Sequence, residues 1–331
     1  MITRTFLALF GVSLIVGFIL IYIIFYFSGI PSISTLLTTN YVMMIIHFLV
    51  AIVMFTASSC KTDGWEMFYE REVIPEGGLE GNNVQEKLQN LRKRLFEKET
   101  EKVTITSIFK LCALFSFITA LAHGFLYFNK SFYSSLISSS QNPFRWLEYF
   151  FSSGIMMACI ASISDIKTEY ALLSVFAFTA ITNIFGMAIE ATSSNRYKWA
   201  FMFFGFIPYI IPWYMIAQNY NRYTATFNDF KDILDEYGEI RLNDDNVLTK
   251  EQFEENIEGL ESLKTLIIVI CLLYNLFPLI QIGQILFPNK YQLGEFLFIL
   301  ISLISKVTLN SSIYSLGNRP STSAEFQEDD S

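Results

Sequence analysis

The sequence has few charged residues and almost no histidine. Charged side chains make up 16% of the 331 residues and hydrophobic ones 52%, whereas a soluble domain carries about 25% charged residues. With two histidines and no HExxH, GxSxG or glycine-rich phosphate motif, the chain has little material for hydrolytic or nucleotide chemistry. Its four cysteines show no metal-ligand spacing, and a net charge of −8 argues against nucleic-acid binding. We therefore predict no catalytic residues, no metal site and no enzyme activity.

The charged residues are concentrated in two blocks, at 61–104 and 219–264, and leave long uncharged runs elsewhere. Eight apolar segments approach or exceed the ~20 residues that cross a bilayer. They are 5–27, 40–59, 106–128, 144–164, 170–191, 199–219, 264–287 and 294–316. The sequence thus predicts an all-α membrane protein that crosses the bilayer many times.

The first apolar segment, within residues 1–30, follows a single arginine, Arg4. Its run from Phe6 to Phe27 is far longer than the roughly 7–15-residue core of a signal peptide, and no A-x-A cleavage site follows it. We therefore predict an extra N-terminal transmembrane segment or uncleaved signal anchor.

The two charged blocks predict polar connections at 61–104 and 219–262. Four apolar residues of the first connection recur at helical spacing among charged ones, which is typical of an amphipathic helix on the membrane surface or against the bundle. They are Val84, Leu88, Leu91 and Leu95. The tail, 318–331, is small, polar and acidic, a composition that predicts disorder.

Two ionisable residues stand inside apolar segments. Lys306 lies in the middle of the last one, where a lysine costs about 2.5–3.5 kcal/mol on insertion scales and is too far from either interface to snorkel. Glu148 lies in the fourth, three residues after Arg145 on the same helix face. We predict a buried ion pair between Lys306 and Glu148. A lysine amine also condenses with aldehydes, and a carboxylate would balance the resulting protonated Schiff base.

Fragments of the last seven segments, from about Tyr41 to Gly317, resemble the heliorhodopsins, retinal proteins whose membrane orientation is inverted relative to other microbial rhodopsins. Their ordered combination is specific, whereas any one fragment is weak. The fragments are HFL at His47, ALAHGF around His123, FRWLEY at 144–149, ALLSVFAFTAITNIFG at 171–186, GFIPYIIPW at 205–213, YNLFPLIQIGQ at 274–284 and SLISKVTL at 302–309. The resemblance implies a seven-transmembrane-helix, rhodopsin-like bundle over 40–317, to which this chain adds the N-terminal helix.

The resemblance also implies a binding site. Lys306 would bind all-trans retinal as a protonated Schiff base, with Glu148 as the counterion and Ser302, one helical turn earlier, hydrogen-bonding nearby. The other implied pocket residues are Trp213, Phe277, Asn275, Gln281 and Pro212. A polar network on the cytoplasmic side of the chromophore would contain His47, His123 and Arg145.

Two arguments about membrane orientation disagree. The resemblance implies an extracellular or luminal C-terminus, and hence places 61–104 and 219–262 outside as well. The eight lysines and arginines of 61–104 favour a cytoplasmic position for this connection by the positive-inside rule. Because that rule applies best to short loops, we follow the resemblance. It further implies a homodimer in membrane lipid, and the enlarged connections leave room for an unidentified signalling partner.

The leading hypothesis is a light-responsive photoreceptor in which photoisomerisation drives a conformational signal. One alternative is a light-driven or light-gated proton or ion conductor built on the same pigment, with Glu190, Arg145 and the two histidines in its path. Another is a solute transporter without a chromophore, which uses Lys306 and Glu148 as a bare ion pair. The absence of a convincing inverted repeat weakens this last alternative.

Overall fold

The computed structural model describes residues 2–60, 66–73, 99–237, 239–241 and 247–316. Within these ranges lie eight helices long and apolar enough to span a membrane, which confirms the prediction of an all-α, multi-pass bundle with an extra N-terminal helix. The predicted amphipathic helix around Leu88 and the predicted disordered tail lie outside the described residues.

The long helices follow one another with short or polar connections, and a short helix, α4, lies between the third and fourth spans. The helices are α1 (Ile2–Phe27), α2 (Ile33–Cys60), α3 (Ile108–Phe128), α4 (Lys130–Ser138), α5 (Pro143–Ile163), α6 (Glu169–Ala191), α7 (Asn195–Tyr237), α8 (Lys250–Leu286) and α9 (Tyr291–Leu316).

Successive spans alternate in direction, so the connections fall into two groups. Residues 28–32, 129–142, 192–194 and 287–290 join spans at one end of the bundle, which we call the short-loop end. The first residues of α1, α3, α6 and α8 and the last residues of α2, α5, α7 and α9 lie at the opposite end, which we call the long-loop end. Every side chain of the site can be placed relative to these two ends.

Several helices are longer than the apolar segments that predicted them. Helix α2 begins at Ile33 rather than near residue 40, α7 continues to Tyr237, and α8 begins at Lys250. Much of the predicted polar connection 219–262 is therefore helical. Hydropathy detects the part of a helix that lies in hydrocarbon, whereas backbone hydrogen bonding continues beyond it into polar sequence.

Two small antiparallel strand pairs lie in the charged connections, where the sequence analysis predicted no strand. Strand β1 (Glu66–Val73) pairs with β2 (Glu99–Ser107), which leads directly into α3, and β3 (Glu239–Arg241) pairs with β4 (Val247–Thr249). β-Branched residues dominate 103–106, a strand signal. Met67 of β1 is buried and packs into the core, so the first pair closes over the long-loop end of the bundle.

Helix α5 lies at the centre of the bundle and approaches α6 closely. The Trp146 ring rests on Gly186, where a Cβ atom would stand 2.3 Å from it, and the Phe176 ring rests on Gly154 at 2.7 Å. Proline at the first turn of α5 suits a helix start, and the Asn142 side chain accepts the Arg145 backbone N–H there. This start places Arg145 and Glu148 on the buried face of α5.

Candidate functional site

Lys306 and Glu148 meet in the middle of the bundle. Lys306 is 2% exposed and Glu148 is 7% exposed, and the Lys306 Nζ donates a hydrogen bond to Glu148 Oε1 over 2.6 Å. It also donates to Ser302 Oγ over 3.1 Å. The structure thus brings together three of the residues that the sequence analysis singled out, contributed by α5 and α9.

Thr119 of α3 completes this site, and the sequence analysis missed it. Its Oγ1 accepts a hydrogen bond from Lys306 Nζ over 2.7 Å and lies 2.5 Å from Glu148 Oε1, to which it can donate. Thr119 stands one helical turn before His123, and residues four apart share a helix face. That spacing places Thr119 on the face of α3 that carries His123, but it does not indicate a contact with Lys306.

The Lys306 ammonium group has an acceptor for each of its three hydrogens. Glu148, Thr119 and Ser302 supply these acceptors, and the ring of Tyr149 lies 5.3 Å from Nζ, within cation–π range. A buried charge is tolerated when it is both paired and fully hydrogen-bonded. The site is therefore built to hold a positively charged nitrogen away from water.

A cavity adjoins Lys306 between α5, α6, α7, α8 and α9. Aromatic rings supply much of its wall: Trp146, Tyr149, Trp213, Tyr274 and Phe277. A largely apolar cavity that reaches an amine suits a hydrophobic ligand with a reactive polar end.

Most of the predicted pocket residues line this cavity. Trp213, Phe277, Gln281, Pro212 and Ser302 do so. The proline interrupts α7, where it removes a backbone hydrogen bond from the helix. The Oε1 atom of Gln281 is buried and has no hydrogen-bond partner among the described residues, so a polar acceptor is available on this wall.

Asn275 lies on the other side of α8, away from the cavity wall. Its Oδ1 accepts a hydrogen bond from the Tyr209 hydroxyl over 2.6 Å, and its Nδ2 donates to Ser13 Oγ of α1 over 2.7 Å. Tyr209 itself lines the cavity. Asn275, which the resemblance placed in the pocket, therefore reaches the cavity through a tyrosine that the sequence analysis did not single out.

The two histidines lie together, closer to the short-loop end than Thr119. Their rings stack with centroids 5.8 Å apart, and His123 Nδ1 lies 2.7 Å from Asn40 Oδ1. Since the Asn40 Nδ2 donates to the Leu36 carbonyl, this contact assigns the proton to His123 Nδ1. His47 is fully buried, and neither of its ring nitrogens has a hydrogen-bond partner among the described residues. Asn40 is a further member of this network that the sequence analysis missed.

Arg145 forms a second buried charge cluster, near the short-loop end. Its guanidinium donates to Glu190 of α6 and to Glu295 of α9. Asn142 holds the same two carboxylates, Glu295 Oε1 through Nδ2 over 2.6 Å and Glu190 Oε2 through its backbone N–H over 2.9 Å. The sequence analysis missed Glu295, although it satisfies the criterion that found Glu148: an acid inside an apolar segment, eleven residues before Lys306.

Tyr133 of α4 connects the histidine network to the arginine cluster. Its hydroxyl donates to Glu295 Oε1 over 3.3 Å and also interacts with the Asn40 side chain. Burial and the neighbouring Glu295 carboxylate raise the pKa of Tyr133 well above its usual value, so the hydroxyl remains a proton donor at neutral pH. The resemblance placed Arg145 and the histidines in one polar network, and in the structure Tyr133 and Asn40 connect them.

We expect Arg145→Gln to destabilise the protein strongly. The substitution leaves Glu190 and Glu295 buried without their cation, and breaking a buried ion pair in this way costs about 3–5 kcal/mol. The thermal unfolding midpoint of detergent-solubilised protein measures the loss. Lys264→Gln is the matched control, because Lys264 pairs with Glu261 at 38% and 62% side-chain exposure and such exposed pairs contribute about 0–1 kcal/mol. Equal midpoints for the two variants would contradict a structural role for the cluster.

Comparison with known proteins identifies the family. The heliorhodopsin family model matches residues 36–229, which is more than half of the chain. The matched stretch contains both histidines, Arg145, Glu148 and Glu190, whereas Lys306 lies beyond it. A search of the curated proteins found no match.

Proposed function

The chain belongs to the heliorhodopsin family, and on that premise we propose that Lys306 binds its retinal, with Glu148 as the balancing anion. Heliorhodopsins are photoreceptor-type membrane proteins that bind retinal and respond to light. This chain is accordingly a retinal-binding, light-responsive, multi-pass membrane protein. The assignment of individual residues, the all-trans isomer and the nature of the signal are the proposal.

The observation that carries the proposal is the position of the buried lysine at the cavity. Lys306 is 2% exposed and lines a cavity with many aromatic residues in its wall, so its amine and a largely apolar space adjoin each other. Retinal supplies an aldehyde, which condenses with an amine and releases water, and a polyene that changes shape on absorbing light. The residues present fit such a group: rings for the polyene and an anion for the charged nitrogen.

The surrounding side chains have separate tasks. Glu148 favours the protonated form of the nitrogen, because an opposite charge within about 4–6 Å stabilises a cation. Thr119 and Ser302 hold that nitrogen in a fixed direction through their hydroxyls, at 2.7 and 3.1 Å in this structure. Trp213 and Phe277 confine the cavity from α7 and α8. Such a site keeps water away from the nitrogen and directs the N–H group of the nitrogen toward the Glu148 carboxylate.

A signal has a direct route from this nitrogen to the short-loop end. Helix α5 carries Glu148 and, three residues earlier, Arg145; helix α9 carries Lys306 and Glu295. Any displacement of Nζ changes hydrogen bonds to three helices, and two of these helices hold the Arg145 cluster. We therefore propose that light changes the surface at the helix ends, and that a signalling partner and a second copy of the chain in the membrane read this change.

A light-driven or light-gated proton or ion conductor is the second candidate, because a series of polar side chains leads from His123, one helical turn beyond Thr119, to the short-loop end. They interact pairwise through the contacts described above. In order, they are His123, Asn40, Tyr133, Glu295, Arg145 and Glu190. Photocurrents in voltage-clamped cells separate the two functions: a light-dependent current that follows the proton gradient identifies conduction, and a pigment without current identifies a sensor.

The proposed orientation places the short-loop end in the cytoplasm and the C-terminus outside. The Asn129-Lys130-Ser131 acceptor motif at the short-loop end is therefore expected to carry no glycan in eukaryotic cells, although Asn129 is exposed. Gel mobility with and without a glycosidase measures this. Leu248→Thr, in β4 at the long-loop end, creates an acceptor motif that begins at Asn246 and is expected to gain a glycan. A glycan on Asn129 would reverse the proposed topology.

A further inference from the structure

Helix α1 precedes the part of the chain that the family model matches, which begins at residue 36. One stripe of α1 faces the bundle, with Ser13, Gly17, Ile21 and Phe25 spaced four residues apart. Residues between them face outward, as does Ile15 at 65% exposure. Small residues four apart allow transmembrane helices to approach closely. From Ser13 to Phe25, α1 therefore has the pattern of a helix that packs against a neighbour.

Helix α8 presents the complementary stripe, Asn275, Leu279 and Gly283. A Cβ atom on Gly17 would stand 2.6 Å from Leu279 Cδ1, and one on Gly283 would stand 2.6 Å from the Phe25 ring. Each helix thus receives a bulky side chain of the other where it has a glycine. The two helices run in the same direction, so the contacts keep the same order along both.

The turn between α8 and α9 holds the end of α1. Lys290 Nζ donates to the carbonyl oxygens of Phe25, Tyr26 and Ser28 over 2.5, 3.1 and 3.0 Å. These carbonyls have no partner within α1, and a cation is favourable at the negative end of the helix dipole. α1 is therefore fixed at its end as well as along its side.

A polar chain leads from α1 to the cavity. Asn275 Nδ2 donates to Ser13 Oγ, Asn275 Oδ1 accepts from the Tyr209 hydroxyl, and Tyr209 lines the cavity. Asn275 is 1% exposed, and without α1 its amide would face hydrocarbon, where an unpaired polar group is costly. Ser13 thus supplies an acceptor for a buried amide group that would otherwise be unpaired.

We propose that Ser13 is a positioning residue of the retinal pocket: through Asn275 it fixes the Tyr209 hydroxyl on the cavity wall, so that the N-terminal helix helps to set the absorption of the pigment. The inference rests on the proposed function, since it requires retinal in this cavity. A hydroxyl dipole held at a fixed place beside a chromophore tunes its electronic properties. When the hydroxyl turns or moves, the absorption maximum shifts.

A mutant cycle on the purified pigment tests the inference. Ser13→Ala is expected to shift the visible maximum in the same direction as Tyr209→Phe, and the double variant to shift it no further than Tyr209→Phe, because residues acting through one contact are not additive. Ser13→Thr keeps a hydroxyl and is expected to retain the parent maximum. The control Val12→Ala, at a position that is 56% exposed, is also expected to retain the parent maximum. A parent-like maximum in Ser13→Ala or in Tyr209→Phe, or additive shifts, would overturn the inference.

A second measurement uses protein prepared without retinal. Ser13→Ala leaves the buried Asn275 Nδ2 without its acceptor. The thermal unfolding midpoint of this variant is therefore expected to fall below that of Val12→Ala, with Ser13→Thr close to the parent. Equal midpoints for Ser13→Ala and Val12→Ala would contradict the coupling of α1 to Asn275. If the parent itself forms no pigment with retinal, the proposed function fails, whereas this measurement still decides whether Ser13 holds Asn275.

Discussion

Lys306→Ala, expressed with all-trans retinal, is expected to have no visible absorption band, whereas the parent protein has one. The proposed linkage needs a primary amine at the cavity, and alanine removes the amine that lies there at 2% exposure. The effect is therefore complete loss rather than a shift. Absorption spectra of the two purified proteins measure it, and hydroxylamine in the light should bleach the parent band, because it competes for the aldehyde.

The controls for this result must separate loss of the amine from loss of the fold. Lys306→Ala leaves Glu148 buried without its cation, which is destabilising. The double variant Lys306→Ala/Glu148→Gln removes both charges, should fold more readily and should still be colourless. Lys167→Ala, which removes a lysine with 40% side-chain exposure, should retain the parent band. A visible band in Lys306→Ala would show that another residue binds retinal, and a colourless, well-folded parent would favour a transporter that uses the bare ion pair.

The sequence predicts the membrane part of the fold well because hydrocarbon imposes one strict rule. Every spanning backbone must satisfy its own hydrogen bonds, so long apolar segments become helices. The same rule makes charged residues in those segments conspicuous, and for that reason Lys306, Glu148 and Arg145 were found from the sequence. Outside the hydrocarbon this constraint is absent. The strand pair β1–β2 and the polar extension of α7 to Tyr237 accordingly escaped prediction.

The uncharged members of the site escaped prediction for a different reason. A threonine in a transmembrane helix commonly bonds to the carbonyl four residues earlier, and Thr119 lies 2.9 Å from the Phe115 carbonyl. Its contacts with Lys306 and Glu148 depend on how three helices pack, which no local pattern encodes. The same holds for Asn40, whose neighbour His123 is 83 residues away. Glu295, by contrast, could have been predicted, because it is an acidic residue inside an apolar segment.

The spacing of Arg145 and Glu148 shows how one helix serves two sites. Three residues apart, they share the buried face of α5 and yet bind different partners. Glu148 meets a lysine in the bundle centre, and Arg145 meets two acids one turn nearer the short-loop end. Both contacts involve α9, and the signal route proposed above depends on this shared helix. The charge of Glu148 can be tested separately from that route.

Glu148→Gln is expected to move the visible band to longer wavelength and to make the band disappear at a lower pH than in the parent. The carboxylate stabilises positive charge on the nitrogen, and excitation moves that charge away, so removing the carboxylate lowers the excitation energy. It also removes an anion that favours the protonated nitrogen, an effect of roughly 1–3 pH units for close opposite charges. The stability of the charged nitrogen is thus lost earlier as the pH rises. A spectrophotometric pH titration of the purified variant measures both effects.

Two further variants test whether these effects are specific to Glu148. Thr119→Val retains the carboxylate but removes the hydroxyl that lies 2.7 Å from Nζ, so it should shift the band and the midpoint in the same directions by less. Glu261→Gln neutralises an exposed carboxylate near the long-loop end, with 62% side-chain exposure, and should leave both at the parent values. If Glu148→Gln also keeps the parent band and midpoint, Glu148 does not balance the charge. Glu190 and Glu295, the other buried carboxylates among the described residues, then become the candidates for the balancing anion.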